Sequence, residues 1–542
     1  LMLDAVRKEL KTLGLLSVPN VISFLCNFSW GLTSILFVGH IGTLELAGAG
    51  IGSMVMNVTG RSIFVGISLG ISPLAGQANG AKAYHRVAEV YRRGFCVMCL
   101  IAVPLSVLWF FTAHALVALK QDPEISAKAG LFARVRIIGM FFFVGFVCTR
   151  SFLRAQLLMM PIMYVTLGVT ALNIVASWGF TAWLGYIGAP MAVTLCDVLS
   201  VVFCVAIIKY LGLHRRTWGV GWSRESLRGW GEILRNAAPA IVMLASEWWA
   251  SEIMTLLAGV LGKTQAAVQP SLFNACAFFF NVPLGVSVAG SSRLANLLGA
   301  GKGPQARLCC FVFLATCMMT GAIGSSFFLI FRRSWGRMFS SDDKVIAMIA
   351  DVTPLVVCYV MLDCAQITLS SVLRGTGMLK VGAIVNFLSF YLVGIPLGGV
   401  CAFKLGYGIH GLWYGLLAGM GVQSLALFII TLRIDWDLQV CLCVDTHADN
   451  LPQAKLAVER STVAGAKDHG KHDGNTDTDI VELELGEMDS PDTGDTANQD
   501  GTSNGDEKVA GEMSAVDTYI ADLGDDQDQG GTALLTATSQ PE

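Results

Sequence analysis

Four carboxylates, Asp197, Glu247, Glu252 and Asp363, stand inside apolar runs long enough to lie in lipid. Two of them share one stretch, AIVMLASEWWASEIMTLLAGVLG, from Ala240 to Gly262. A buried Asp at the centre of a bilayer costs about 3 kcal/mol on insertion scales, so such residues face protein or a wet cavity and are functional candidates by default. At 1.5 Å per residue Glu247 lies roughly 15 Å in from Ala237, near the midplane, and Glu252 sits about 140° further round the helix. The two flank a cavity wall rather than forming one tight dyad. Asp363 falls in the middle of the tenth apolar run, from where it can face the seventh.

Burial and a neighbouring carboxylate both favour the protonated form of a carboxyl group. A group that holds a proton in one state and attracts an organic cation in the other makes the two compete for a single charge. That is the chemistry of antiport. Trp248, Trp249 and the run Phe278, Phe279, Phe280 would offer aromatic faces to a flat or quaternary cation; Trp248 and Tyr391 are the candidate cavity aromatics. The plainer alternative for Glu247, Glu252 and Asp363 is a buried bond that only holds helices together. For Asp197 that alternative is preferred, with Arg61 as its candidate partner in the same half of the chain.

These residues need a membrane scaffold, and the composition supplies one. The 542 residues are 54% apolar and 14% charged, with a mean hydropathy of +0.60, whereas a soluble domain carries about 25% charged residues. Runs near 13–38, 52–78, 94–118, 131–155, 160–184, 187–209, 234–261, 266–291, 307–331, 345–372, 380–403 and 409–432 each suffice to cross the hydrocarbon. The expected fold is an all-α polytopic membrane protein of twelve transmembrane helices. The first run is too long for a signal peptide and is read as a retained span. Twelve spans put both termini on one side. The N-terminus and the even-numbered loops, with Lys82, Arg86, Arg215, Arg216, Lys302 and Lys380 among them, hold most of the Lys and Arg, so that side is expected to be cytoplasmic.

The two halves repeat at an offset of about 220 residues. Lys82 matches Lys302, Asp122 matches Asp342, and Ser151 and Arg154 of SFLR match Ser371 and Arg374 of SVLR. LGYIGAPMA from 184 is echoed by LGYGIHGLWYG from 405. Six spans per half insert the same way up, which points to two similar lobes that rock about a central site. The expected organisation is an N-terminal six-helix lobe over 1–212, a cytoplasmic interfacial linker over 213–233, a C-terminal six-helix lobe over 234–433 and an acidic disordered cytoplasmic tail over 434–542. The linker mixes Arg with Trp218, Trp222 and Trp230, which suits the headgroup layer. From Asp445 onward there are 23 acidic and 5 basic residues, a balance of −18 that leaves +15 in the rest. Such a composition buries too little apolar surface to order itself.

Fifteen cysteines show no disulfide or zinc spacing and mostly lie in apolar runs; Cys441 and Cys443, just past the last run, are candidates for palmitoylation. Gly411, Gly415 and Gly419 recur every fourth residue, as do Gly66 and Gly70, and are read as close-packing faces. Asn27 and Asn57 match the glycosylation sequon by chance, since both fall inside spans.

SEWWASE (246–252) resembles the seventh-helix signature of eukaryotic multidrug and toxic compound extrusion (MATE) transporters. NVPLGVSVAGSSRLANLLGAGK (281–302), SVLRGTGMLKVGAIVNFLSFYLVGIPLG (371–398) and VGHIGTLELAGAGIG (38–52) are similar to further segments of that family, and the resemblance runs from about 13 to 433. It implies two six-helix lobes around a V-shaped pore and proton- or sodium-coupled export of organic cations, or of phenolics in some branches. By motif it carries proton and substrate binding to Glu247, Glu252 and Asp363. It also marks a departure, because Asn274 stands where a further glutamate is usual. Asp363 stands where glutamate is usual, and Asp197 where relatives carry a neutral polar residue. The implied partners are a small, mainly cationic organic substrate, protons or alternatively sodium, and membrane lipid. Neither nucleic acid nor a cofactor is expected, and a monomer is the expected unit, in the plasma membrane or a vacuolar or other internal membrane.

A lipid or polyprenyl-carrier flippase of related architecture is the competing transporter; it would need a cationic cavity, and Arg61 is read as the only arginine buried mid-span. A membrane-embedded enzyme lacks support, because HExxH and clustered intramembrane histidines are missing.

Overall fold

The computed structural model describes residues 2–214, 228–339 and 342–447. Among them there are helices and turns but no strand. Eleven helical stretches are long and apolar enough to cross a bilayer. One of these, Met159–Tyr210, is two helices parted by a tight turn at Gly185–Ile187, which brings the spans to the expected twelve. They are α1 (Met2–Gly39), α2 (Thr43–Gly80), α3 (Tyr84–Phe110), α4 (Pro123–Ala155), α5 (Met159–Leu184) and α6 (Gly188–Tyr210) in the first half. The second half holds α7 (Trp230–Leu261), α8 (Lys263–Gly299), α9 (Gly303–Ile330), α10 (Asp343–Gly375), α11 (Leu379–Lys404) and α12 (Gly408–Leu432). The third apolar run is interrupted: α3 stops at Phe110, and Thr112–Ala118 forms a separate short helix.

The repeat is visible in how equivalent helices begin and end. Asp122 caps α4 by accepting the backbone N–H groups of Glu124 and Ile125, and Asp342 caps α10 by accepting that of Lys344. An aspartate there satisfies donors that the first turn leaves open. Both helices are 33 residues long. The turn after α4 passes through the left-handed region at Leu157 and the turn after α10 at Gly377.

Two spans carry wide i→i+5 turns: α2 at Asn57–Arg61, and α11 at Leu388–Gly394 and Val400–Lys404. Such turns re-aim side chains and recur at functional sites. The one in α2 sets Arg61.

Packing at one end of the bundle joins the halves. A Cβ at Gly80 would stand 2.1 Å from the Asn296 carbonyl oxygen, and one at Gly299 2.0 Å from that of Gln77. Gly66 and Gly70 back onto Ile241 and Ala237 of α7 in the same way. Asn79 Nδ2 donates to Asn296 Oδ1 at 2.7 Å, Gln77 Nε2 to the Gly375 carbonyl at 3.2 Å, and Arg86 of α3 meets Glu232 of α7 at 2.7 Å. Glu9 of α1 pairs with Arg293 of α8 at 3.3 Å. These contacts seal the end that holds the Lys82 and Lys302 turns.

Residues 215–227, most of the expected linker with Trp218 and Trp222, and residues 448–542 of the expected tail lie outside the described residues. Where the tail was expected to begin, Trp436–His447 instead forms a helix, α13, whose Cys443 is buried with Leu298, Cys309 and Ile434. Burial of Cys443 removes it as a palmitoylation site; Cys441 is only half-buried.

The glycine face on α12 is a packing face. A Cβ at Gly415 would lie 2.3 Å from Gly398 Cα and 2.5 Å from the Gly394 carbonyl oxygen, whereas one at Gly421 meets nothing within 4 Å. Gly415→Leu should therefore lower the thermal midpoint of the detergent-solubilised protein, with a destabilisation of about 1–3 kcal/mol or more. Gly421→Ala should leave it unchanged.

Candidate functional site

Glu247 lies in the middle of α7, buried at 7% exposure. The helix runs on either side of it through small buried residues, Ala245, Ser246 and Ala250. From α10, Gln366 Nε2 donates to Glu247 Oε2 at 2.8 Å. Asp363 stands three residues before Gln366, on the same face of α10, within reach of the charge on Glu247. Asp363 is buried and its Oδ1 has no hydrogen-bond donor; the same is true of Gln366 Oε1. Arg374, three turns further along α10, feels the charge of Glu247 but spends a guanidinium N–H on Ser371 Oγ.

A polar ladder supports the pair from below. Gln423 Nε2 of α12 donates to Asn386 Oδ1 of α11 at 2.7 Å, and Asn386 Nδ2 donates to the Met243 carbonyl at 3.1 Å, one turn before Glu247. On the other side, Tyr359 lies beside both carboxylates and packs into an aromatic group with Phe273 and Trp413, whose rings stack at 5.5 Å. Trp413 Nε1 is held by Gln269 Oε1 at 3.0 Å.

The structure thus brings Glu247 and Asp363 together, as the sequence suggests. Glu252, five residues on, is half-buried and makes no hydrogen bond or ion pair among the described residues. Asn274 of α8 is exposed and makes no side-chain hydrogen bond there. Of the neighbouring tryptophans, Trp248 is half-buried, while Trp249 Nε1 reaches the Val58 carbonyl of α2 at 3.3 Å and so touches the other half. Tyr391 is half-buried and stacks on Phe387 at 4.8 Å.

Two expectations are corrected in the first half. The direct partner of Asp197 is Arg136, at 2.7 Å, not Arg61; Arg61 lies over the Phe143 ring at 5.4 Å. Nor is Arg61 the only arginine within a span, since Arg136 and Arg150 lie well inside α4 and Arg154 and Arg374 are buried near helix ends. Gln366 and Tyr359 were also missed. The i, i+3 spacing of Asp363 and Gln366 was the available signal for the first; nothing in the pattern singles out Tyr359.

A family model described as MatE matches residues 19–178 and 239–400. Protein DETOXIFICATION 16 of Arabidopsis thaliana is 33% identical over 438 residues, 80% of this chain and 90% of that protein. An uncharacterized transporter of Schizosaccharomyces pombe is 32% identical over 439 residues, 79% of this chain and 80% of that one. Among solved structures, the eukaryotic MATE transporter AtDTX14 superposes with a TM-score of 0.78 at 28% identity, over 84% of this chain and 99% of that chain.

The Asp197–Arg136 pair is buried, so removing one partner strands the other charge. Asp197→Asn should destabilise the protein by about 3–5 kcal/mol, and the double change Asp197→Leu with Arg136→Met should recover most of that loss. Thermal midpoints of the three proteins in one detergent check both.

Proposed function

The chain belongs to the MatE family of multidrug and toxic compound extrusion transporters, and on that premise we propose that it exports small organic cations in exchange for protons, with Glu247 as the residue at which the two compete. The observation that carries this is the hydrogen-bond shortfall around Glu247. Glu247 receives one side-chain donor, from Gln366, while Asp363 Oδ1 one turn away and Gln366 Oε1 are left bare. Buried acceptors without donors are costly. A proton on either carboxyl supplies the missing O–H donor and removes one of two like charges. A bound cation does the same electrostatically. Occupancy by one therefore works against the other.

Glu252 extends the acidic field along α7 and Asn274 replaces one further charge with an amide, which favours cargo with a single positive charge. Trp248 and Tyr391 are the aromatic faces assigned to it. The sealed end carries the Lys82 and Lys302 turns and is assigned to the cytoplasm together with both termini, so the described state is closed inward. Lobes 1–212 and 234–433 rock about the site, joined by the linker at 213–233, with the acidic tail beyond α13 on the cytoplasmic side, in a monomer of the plasma or an internal membrane.

Sodium coupling is the second reading, because the bare oxygens of Asp363 and Gln366 are hard ligands. Uptake of a fluorescent cation into proteoliposomes under an imposed proton gradient, repeated with a sodium gradient, separates the two. The proton gradient should drive transport and the sodium gradient should not. Glu247→Gln should reduce proton-driven transport to background while the protein elutes as a normal single species; full activity in that variant removes Glu247 from the mechanism.

A further inference from the structure

The first half carries charges that the cation-for-proton reading does not use. Arg136, Phe143, Arg150 and Arg154 recur at spacings of seven, seven and four residues, which places them within about 40° on one face of α4. Arg61 joins them from the wide turn of α2, its guanidinium lying over the Phe143 ring of that face at 5.4 Å. Four guanidinium groups stand here against one carboxylate, and that one, Asp197, is committed to Arg136. Arg154 donates through Nε to Asn20 Oδ1 at 3.2 Å, but its Nη2 has no partner.

Arg150 is the least satisfied. It is 5% exposed, makes no hydrogen bond or ion pair among the described residues, and its Nε is bare. Its contacts are aromatic faces: the guanidinium lies 5.1 Å from the Phe146 centroid and 5.5 Å from that of Phe24, and Arg154 lies 4.7 Å from Phe24. Aromatic rings cover the flat faces of a guanidinium and leave its N–H edge free. That edge matches a carboxylate, sulfonate or phosphate geometrically.

The repeat sharpens the point. At the offset of 220 that aligns Arg154 with Arg374, Phe143 falls on Asp363 and Arg150 on Ser370. Arg154 and Arg374 are thus common to both helices, whereas Asp363 belongs to α10 alone and Arg136 and Arg150 to α4 alone. We infer that the Arg61, Arg150 and Arg154 cluster is a binding site for an anionic group of the cargo, so that the substrate class includes small organic molecules bearing a carboxylate or sulfonate, alone or together with a positive charge. This rests on the transporter reading and adds a site to it. Arg61, only half-buried, is the outer member; Arg150 and Arg154 form the inner anchor.

The test uses the full chain in proteoliposomes with labelled p-aminohippurate, which carries a carboxylate, and labelled tetraethylammonium, which carries no acidic group. Wild type should take up both in counterflow. Arg150→Gln should lower p-aminohippurate uptake by about tenfold or more, the scale of one lost charge-assisted hydrogen bond, and leave tetraethylammonium within about twofold. Arg150→Lys should retain part of the anion uptake. A ligand-side test needs no variant: excess p-aminohippurate should compete with its own label, and its methyl ester, which lacks the negative charge, should not. No p-aminohippurate uptake or competition by wild type, equal competition by acid and ester, or equal loss of both probes in Arg150→Gln would overturn the assignment. So would suppression of p-aminohippurate uptake by phosphatidylglycerol in the liposomes at constant surface charge, because the arginines would then serve a lipid headgroup. Glu247→Gln reports separately, since it removes the response to the proton gradient for either probe and leaves discrimination between acid and ester in counterflow.

Discussion

An ionised side chain within the thickness of a bilayer must find an opposite charge, a full set of hydrogen bonds, water, or a proton that cancels it. That constraint sorts the charges of this protein. Asp197 and Arg136 satisfy it by pairing at 2.7 Å and need nothing else. Glu247 satisfies it by half, with one donor from Gln366, and Asp363 leaves an oxygen bare. Arg150 meets only aromatic rings. Groups left short in this way are the ones available to a proton or a cargo molecule, and the functional reading follows from which groups those are.

The scaffold keeps the shortfall in place. Small residues let backbones touch where α2 meets α7 and α8, and where α12 meets α11. Asn386 and Gln423 tie α7, α11 and α12 together just beneath Glu247. Duplication supplied two copies of one helical frame with matching caps at Asp122 and Asp342. Divergence then placed Asp363 on one copy and Arg136 and Arg150 on the other, while Arg154 and Arg374 stayed common to both. A shared backbone with different charges is a simple route to a transporter whose halves recognise different parts of a substrate.

Much of this was legible without coordinates. Apolar length marked the twelve spans, and a charged residue inside a span marked Glu247 and Asp363, because both signals depend on position along one chain. What failed depended on neighbours across space. The partner of Asp197 was assigned to Arg61 although Arg136 makes the contact, since nothing in the pattern of α6 says which arginine on another helix faces it. The basic face of α4 is visible in its spacing, yet from sequence Arg154 serves only as a match between the two halves. The helix at Trp436–His447 was hidden by the acidic composition that follows it; its order comes from packing against α8 and α9, not from its own sequence.

The central claim is that proton and cation compete at Glu247, and it can be measured without a membrane gradient. Protein in detergent, weakly buffered at a pH where the site is protonated, is titrated with tetraphenylphosphonium while a pH-sensitive dye reports released protons. The account predicts proton release on binding in wild type and none in Glu247→Gln. Binding by wild type with no proton released, or with the same release from Glu247→Gln, would contradict it.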